Sequence, residues 1–191
     1  MEKKTFSIQF NGRILKAELG FLAQQANGSA FLSYGDTAVL ATAVMNQEPK
    51  DCDYLPLTVE YEERLYAAGK IKGSRFIKRE GKPQDEAILS GRLIDLTIRP
   101  RFNSKIRNEI QVVLTVLSFD KANDPDILGI LAASLALSVS NIPWSGPVAG
   151  VRVGHNQDQF IINPTYEQRE KSDLDLIVSG TAQKINMLEA V

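Results

Sequence analysis

The sequence predicts an α+β fold, a mixed sheet with helices packed on one face. Three observations carry this. Residues 5–19 alternate polar and apolar side chains around Asn11-Gly12, the pattern of a β-hairpin with a two-residue turn. Runs rich in Val, Ile, Leu and Thr recur at 37–45 and 109–119, with shorter ones near the end of the chain. Two segments, 84–98 and 124–139, carry helix start and stop signals instead. Several strands, two helices and short connections make a layered α+β arrangement.

The elements follow in order. After the hairpin, residues 21–46 continue in strand chemistry, and Gly35-Asp36 marks a second tight turn. Thr37–Met45 (TAVLATAVM) reads as a buried strand, and residues 55–63 as another. Gly28-Ser29 and Gly35-Asp36 read as turns rather than phosphate cradles. A helix spans Gln84–Ile98: Pro83 suits a first turn, Asp85 and Glu86 favour the positive helix end, and Pro100 stops it. Glu109–Phe119 reads as a central strand. Asp124 is an N-cap with Pro125 at the first helical position. The helix it starts is apolar nearly all round from Ile127 to Val139, so it should be buried. Strands follow at 147–153 and 159–162, joined near His155-Asn156, which makes His155 a turn residue. Two more follow at 174–179 and 184–188.

The length of 191 residues and the apolar content allow one or at most two domains with a proper core, and a single domain over residues 1–191 is expected. There is no apolar run of membrane length and no signal-peptide pattern at the start. The single Cys52 rules out an intramolecular disulfide and suits a reducing compartment, so a cytoplasmic location is expected. One His and one Cys make a poor zinc site.

The net charge of −1 conceals a division. Residues 64–105 hold 11 of the 22 Lys and Arg and 4 of the 23 acids, a net +7 set against −8 elsewhere. Such a block is a candidate footprint for a polyanion; a solvated helix face is the plainer account. Gly69, Gly73 and Gly81 punctuate a segment too polar to pack, so Lys70–Lys82 reads as an exposed loop. Within it Phe76 and Ile77 stand beside Lys78 and Arg79, with Lys82 following. Cations for phosphates and a ring for a base are what a single-stranded nucleic-acid site requires. On the following helix Arg92, Asp95 and Arg99 are spaced for an intrahelical salt-bridge row. The same spacing suits two arginines, held by Asp95, that face phosphates.

The stretch GSRFIKREGKPQDEAILSGRLIDLTIRPRF resembles the first RNase PH-type domain of the bacterial polynucleotide phosphorylases. PLTVEYEERLYAAGKIKGS, NDPDILGILAASLALS and GPVAGVRVG extend the likeness over essentially the whole chain. Phe76-Ile77-Lys78-Arg79 departs from that family's aromatic-aromatic-Arg-Arg form, and Leu96 stands where the family often has Arg. The resemblance implies an RNase PH-like β-α-β fold and a longer parent protein with a second RNase PH-like domain. Lys184–Val191 stops inside strand-like sequence, and the natural chain is expected to continue.

The resemblance also implies the parent's chemistry: phosphorolysis of RNA from the 3′ end, yielding nucleoside diphosphates. In the family's active second domain a Gly-Ser-Ser-Ser run at the start of the buried helix binds phosphate. Here that run is Asn123-Asp124-Pro125-Asp126, where two carboxylates replace hydroxyls and Pro125 removes an amide. Of the family's two Asp and one Lys around the metal, Asp175 is kept, while Arg169 and Ile177 stand at the other two positions. Asp173 and Asp175 remain as weak metal candidates. No catalytic residue is expected in this chain, and Mg2+ is expected only in the second RNase PH-like domain. The implied RNA contacts are Phe76, Ile77, Lys78, Arg79 and Lys82, with Arg92 and Arg99 near phosphate. The implied partners are single-stranded RNA, inorganic phosphate, two further copies in a homotrimer, the second RNase PH-like domain and RNA degradosome components. The alternative is a stand-alone, non-catalytic RNase PH-like subunit that serves as an assembly or RNA-guiding module. An independent phosphorolytic nuclease is a third reading, weakened by Asp124-Pro125-Asp126.

Overall fold

The computed structural model describes residues 3–71, 82–157 and 159–190. The chain opens with the hairpin β1 (Lys4–Phe10) and β2 (Arg13–Leu19). Asn11 and Gly12 both take positive φ, 47° and 77°, as a two-residue turn matched to strand twist requires. β3 (Gly28–Tyr34), β4 (Thr37–Pro49) and β5 (Leu57–Glu63) follow, then α1 (Asp85–Ile98), β6 (Asn108–Ser118) and α2 (Pro125–Ser138). These strands form one sheet in the order β1-β2-β3-β4-β6-β5. Among the described residues only β5 and β6 pair in parallel, and α1 is the crossover between them, so the sheet is mixed and holds a β-α-β unit.

The remaining strands do not extend this sheet. β7 (Ala149–Asn156), β8 (Gln159–Ile162), β9 (Leu174–Gly180) and β10 (Ile185–Ala190) make a second, antiparallel sheet in the order β10-β9-β7-β8. A short helix, α3 (Tyr166–Arg169), stands between β8 and β9. Both long helices pack on one face of the mixed sheet, α1 against β5 and α2 against β3 and β4. Their other sides meet the second sheet, α2 at β7 and α1 at β10. The helical layer is therefore covered from both sides. This is why α2 is apolar nearly all round and why Ile94, Ile98, Ile130 and Leu137 are sealed from solvent. A polar joint lies within that packing: Thr97 Oγ1 of α1 and Ser179 Oγ of β9 share a buried 2.9 Å hydrogen bond.

Two local expectations are corrected. His155 is not in the turn: it lies in β7 opposite Phe160, and the reversal comes later, with Gln157 at φ 47°. α3 was not anticipated, although Thr165-Tyr166-Glu167-Gln168 carries its signal. The Thr165 hydroxyl accepts from the Gln168 N–H while the Gln168 side chain accepts from the Thr165 N–H.

Candidate nucleic-acid interface

Of the basic stretch, Lys70 and Ile71 lie before the gap in the described residues and Lys82 after it. Phe76, Ile77, Lys78 and Arg79 fall outside the described residues. Lys82 is exposed two positions ahead of Gln84, the N-cap of α1. The helix buries Ala87, Ser90, Gly91, Leu93, Ile94, Thr97 and Ile98. Its opposite side presents Ile88, Leu89, Arg92 and Leu96 to solvent.

The two arginines of the predicted row differ in what they do. Arg92 is exposed and makes no hydrogen bond or ion pair among the described residues, so its guanidinium is available to an anion. Arg99 is committed. Its Nε and Nη2 each donate to the Asp95 carboxylate at 2.8 Å, and Nη2 and Nη1 also donate to the carbonyls of Leu57 and Leu55 at 3.0 and 3.4 Å. A bidentate pair with two backbone acceptors ties the C-terminal end of α1 to the start of β5.

A further aromatic borders the stretch. Tyr66 is 60% exposed on the 3-10 turn Leu65–Ala68, which Gly69 closes in the left-handed region at φ 68°. The Phe119 N–H donates to the Ala67 carbonyl at 3.1 Å and moors this turn to the end of β6. Reading the sequence passed over Tyr66; its signal was an aromatic between Arg64 and Lys70 in RLYAAGK.

At the start of α2 the side chains form a closed ring of alternating charge. Asp124 caps the helix by accepting the Asp126 N–H at 3.1 Å. Its Oδ2 also accepts from Arg169 Nη1 at 3.0 Å, and Arg152 Nε lies 3.1 Å from the same oxygen as an ion pair without a hydrogen bond. The same two guanidiniums meet Asp175 Oδ2, at 2.9 and 3.0 Å. Four elements are joined: α2, β7, α3 and β9. Arg152 points inward although its Val neighbours would suggest the reverse; along β7 the inward positions are Gly150, Arg152 and Gly154, and the side of α2 they meet holds Asp124. Two arginines engaged by carboxylates, a capping Asp and Pro125 leave little at this helix start to attract a phosphate.

Asp173 and Asp175 do not come together as ligands. Asp173 precedes β9, and its Oδ1 lies 2.7 Å from His155 Nδ1. Asp175 Oδ1 is buried without a hydrogen-bond partner, yet the guanidiniums on Oδ2 oppose a divalent cation beside it. These residues do not fit Mg2+.

The comparison with known families now bears on this geometry. A model of the 3′ exoribonuclease family, domain 1, matches residues 11–143, which hold β2 to β6 of the mixed sheet and both long helices. A model of domain 2 of the same family matches residues 146–190, the second sheet with α3. The chain belongs to the RNase PH family of 3′ exoribonucleases. Similar relatives of this RNase PH chain are named polyribonucleotide nucleotidyltransferase. The protein from Bacillus subtilis is 56% identical over 189 residues, covering 99% of this chain and 27% of the relative. That from Bacillus cytotoxicus is 57% identical, covering 99% and 26%. That from Exiguobacterium sibiricum is 55% identical over 188 residues, covering 98% and 25%. The chain thus spans about a quarter of the length of these relatives. Among the described residues no helix is long and apolar enough to cross a membrane.

Proposed function

We propose that this RNase PH chain is the N-terminal, catalytically degenerate domain of a polyribonucleotide nucleotidyltransferase, and that it binds single-stranded RNA and builds the oligomer. The observation that carries the RNA reading is the +7 charge of residues 64–105, which include Arg92, without a partner among the described residues, and the exposed ring of Tyr66. Lys78, Arg79, Lys82 and Arg92 hold phosphates, and Phe76 stacks on a base with Ile77 beside it. Arg99 acts less directly, by fixing the end of the helix that carries Arg92.

The parent enzyme shortens RNA from its 3′ end. Phosphate attacks the phosphorus of the terminal linkage, the bond from that phosphorus to the 3′-oxygen breaks, and the shortened RNA keeps a 3′-hydroxyl while a nucleoside diphosphate is released. Mg2+, held by the second RNase PH-like domain, would stabilise charge on the scissile phosphate. The Arg152–Asp124–Arg169–Asp175 ring supports assigning no part of that step to this domain. Three copies form a trimer around a central entrance ringed by the basic stretches, in the cytoplasm, with RNA degradosome components as further partners.

The test is an incubation of the 191-residue chain with oligoadenylate, phosphate and magnesium. No nucleoside diphosphate is expected; steady release that survives purification would refute the degenerate assignment.

A further inference from the structure

The two sheets differ on the faces they turn away from the helices. On the mixed sheet that face is polar: Ser29 and Ser33 of β3, Thr58 and Glu60 of β5, and Gln111 and Thr115 of β6 alternate with the inward residues of their strands. A sheet with one side in water has this alternation. The second sheet breaks it. Its inward residues include Arg152, which meets Asp124 of α2, and Ser179, which meets Thr97 of α1. Alternation then turns Val151 and Val153 of β7, Leu176 and Val178 of β9 and Leu188 of β10 outward. Strand pairing sets them side by side: Val178 lies between Val151 and Leu188, and Val153 lies opposite Leu176. β8 extends the face with Ile162, opposite Val153, and Phe160, opposite His155. Among the described residues of these strands, His155 is the one polar side chain on this side.

Nothing among the described residues covers this face. Ile177 and Met187, on the inward side of the same strands, pack into the hydrophobic core, and the outward side chains do not. Phe160 is 70% exposed and Leu188 60%. Where the small residues Ala149 and Gly180 pair across β7 and β9, the face sinks into a groove of ≈ 430 Å³ bordered by Val151, Val178 and Ile185. Single exposed hydrophobic side chains are ordinary, but a contiguous apolar sheet face marks a contact surface. Its dimensions select the occupant. Four strands about 4.8 Å apart make a face about 15 Å wide. A helix with its side chains is about 10–12 Å thick, so one helix of about ten residues covers it. The chain spans about a quarter of the length of its relatives. Leu188 and Ala190 lie on the border of the face, in the last strand of the sheet. A connection of a few residues carries the chain from there onto the face. A tethered segment competes at high effective concentration with a second copy or a remote domain.

We propose that the outer face of β7–β10 is a docking surface for the segment of the parent chain that follows residue 191, laid across it as an amphipathic helix. That segment carries apolar residues at helical spacing on one side, and one of them fills the groove beside Ala149 and Gly180. The second sheet becomes a middle layer, with α1 and α2 on one side and the docked helix on the other. The inference rests on the reading of this chain as the first part of a longer protein and is independent of RNA binding.

The test uses the full-length parent. The photo-crosslinker benzoylphenylalanine replaces Leu176 in the middle of the face or, in a second variant, Phe160 at its exposed margin. The second position serves should the first disturb folding. After irradiation the joined peptides are identified by mass spectrometry. Crosslinks are expected within the segment directly after residue 191, ahead of the second RNase PH-like domain. Crosslinks only to another copy or only to the second RNase PH-like domain would overturn the assignment, as would none at all. A source gene that stops at residue 191 would refute the longer parent and this inference together. Nucleoside diphosphate release by the 191-residue chain would refute the degenerate assignment and leave the crosslink map unchanged.

Discussion

Arg152 Nε lies 3.1 Å from Asp124 Oδ2, with the two side chains only 7% and 9% exposed. This pair sits inside a ring whose other members, Arg169 and Asp175, are 26% and 23% exposed. Removing the more deeply buried cation strands charge where water cannot reach it. Arg152→Ala should therefore destabilise the chain by about 3–5 kcal/mol. Arg169→Ala leaves Arg152 in contact with both carboxylates and should lose less, about 1–3 kcal/mol. Urea unfolding of the two variants ranks them, and equal losses would mean that the ring is not organised around Arg152.

The two arginines of α1 separate binding from structure. Arg92→Ala should leave the unfolding midpoint within about 0.5 kcal/mol of the starting protein, as surface changes do. It should also flatten the salt dependence of RNA binding by about 0.7 in the log–log slope, the loss of one phosphate contact on a single strand. Arg99→Ala should do the reverse, costing about 1–3 kcal/mol in stability through its lost bonds to Asp95, Leu57 and Leu55. Anisotropy and urea titrations on both variants measure the crossover.

RNA binding through Lys78, Arg79, Lys82 and Phe76 is expected to be electrostatic and nearly indifferent to sequence. Three to four phosphate contacts give a log–log salt slope of roughly −2 to −3. Removing Lys78 and Arg79 together should flatten it by about 1.4 and weaken poly(A) and poly(U) alike. Phe76→Ala should weaken binding by about 1–3 kcal/mol with the slope unchanged, because stacking releases few counterions. Fluorescence anisotropy at several salt concentrations, on the full-length parent protein, makes the measurement. A double charge removal that leaves affinity and slope intact would reduce the basic stretch to solvated surface.

Gly28 reports on the packing of β3 against α2. A Cβ there would overlap the Ala136 carbonyl oxygen and crowd Ser140. Backbone cannot swing aside as a side chain can, so Gly28→Ala should cost about 1–3 kcal/mol or more. Gly12→Ala meets no atom within 4 Å, yet its φ of 77° strains any other residue, so a smaller loss is expected. Thermal unfolding of the pair separates overlap from backbone strain.

The sequence by itself determined the features that depend on a few neighbouring residues. Asn11-Gly12 can hardly be anything but a hairpin turn, because both positions need positive φ. Asp124-Pro125 starts a helix wherever it folds, since the cap and the fixed proline φ act within one turn. The concentration of positive charge in residues 64–105 was equally plain. Tertiary structure alone decided which strands share a sheet. It set β5 parallel to β6 and gave β7–β10 a sheet of their own. It also decided what the charged residues do. Arg92 and Arg99 read alike in sequence, but only Arg99 finds the carbonyls of β5. Arg152 turns inward against its alternation because Asp124 and Asp175 meet it there. Periodicity and turn chemistry are local, whereas the ring joins residues 23 and 45 positions apart along the chain. Whether such charges meet depends on the path of the whole backbone, which no short stretch encodes.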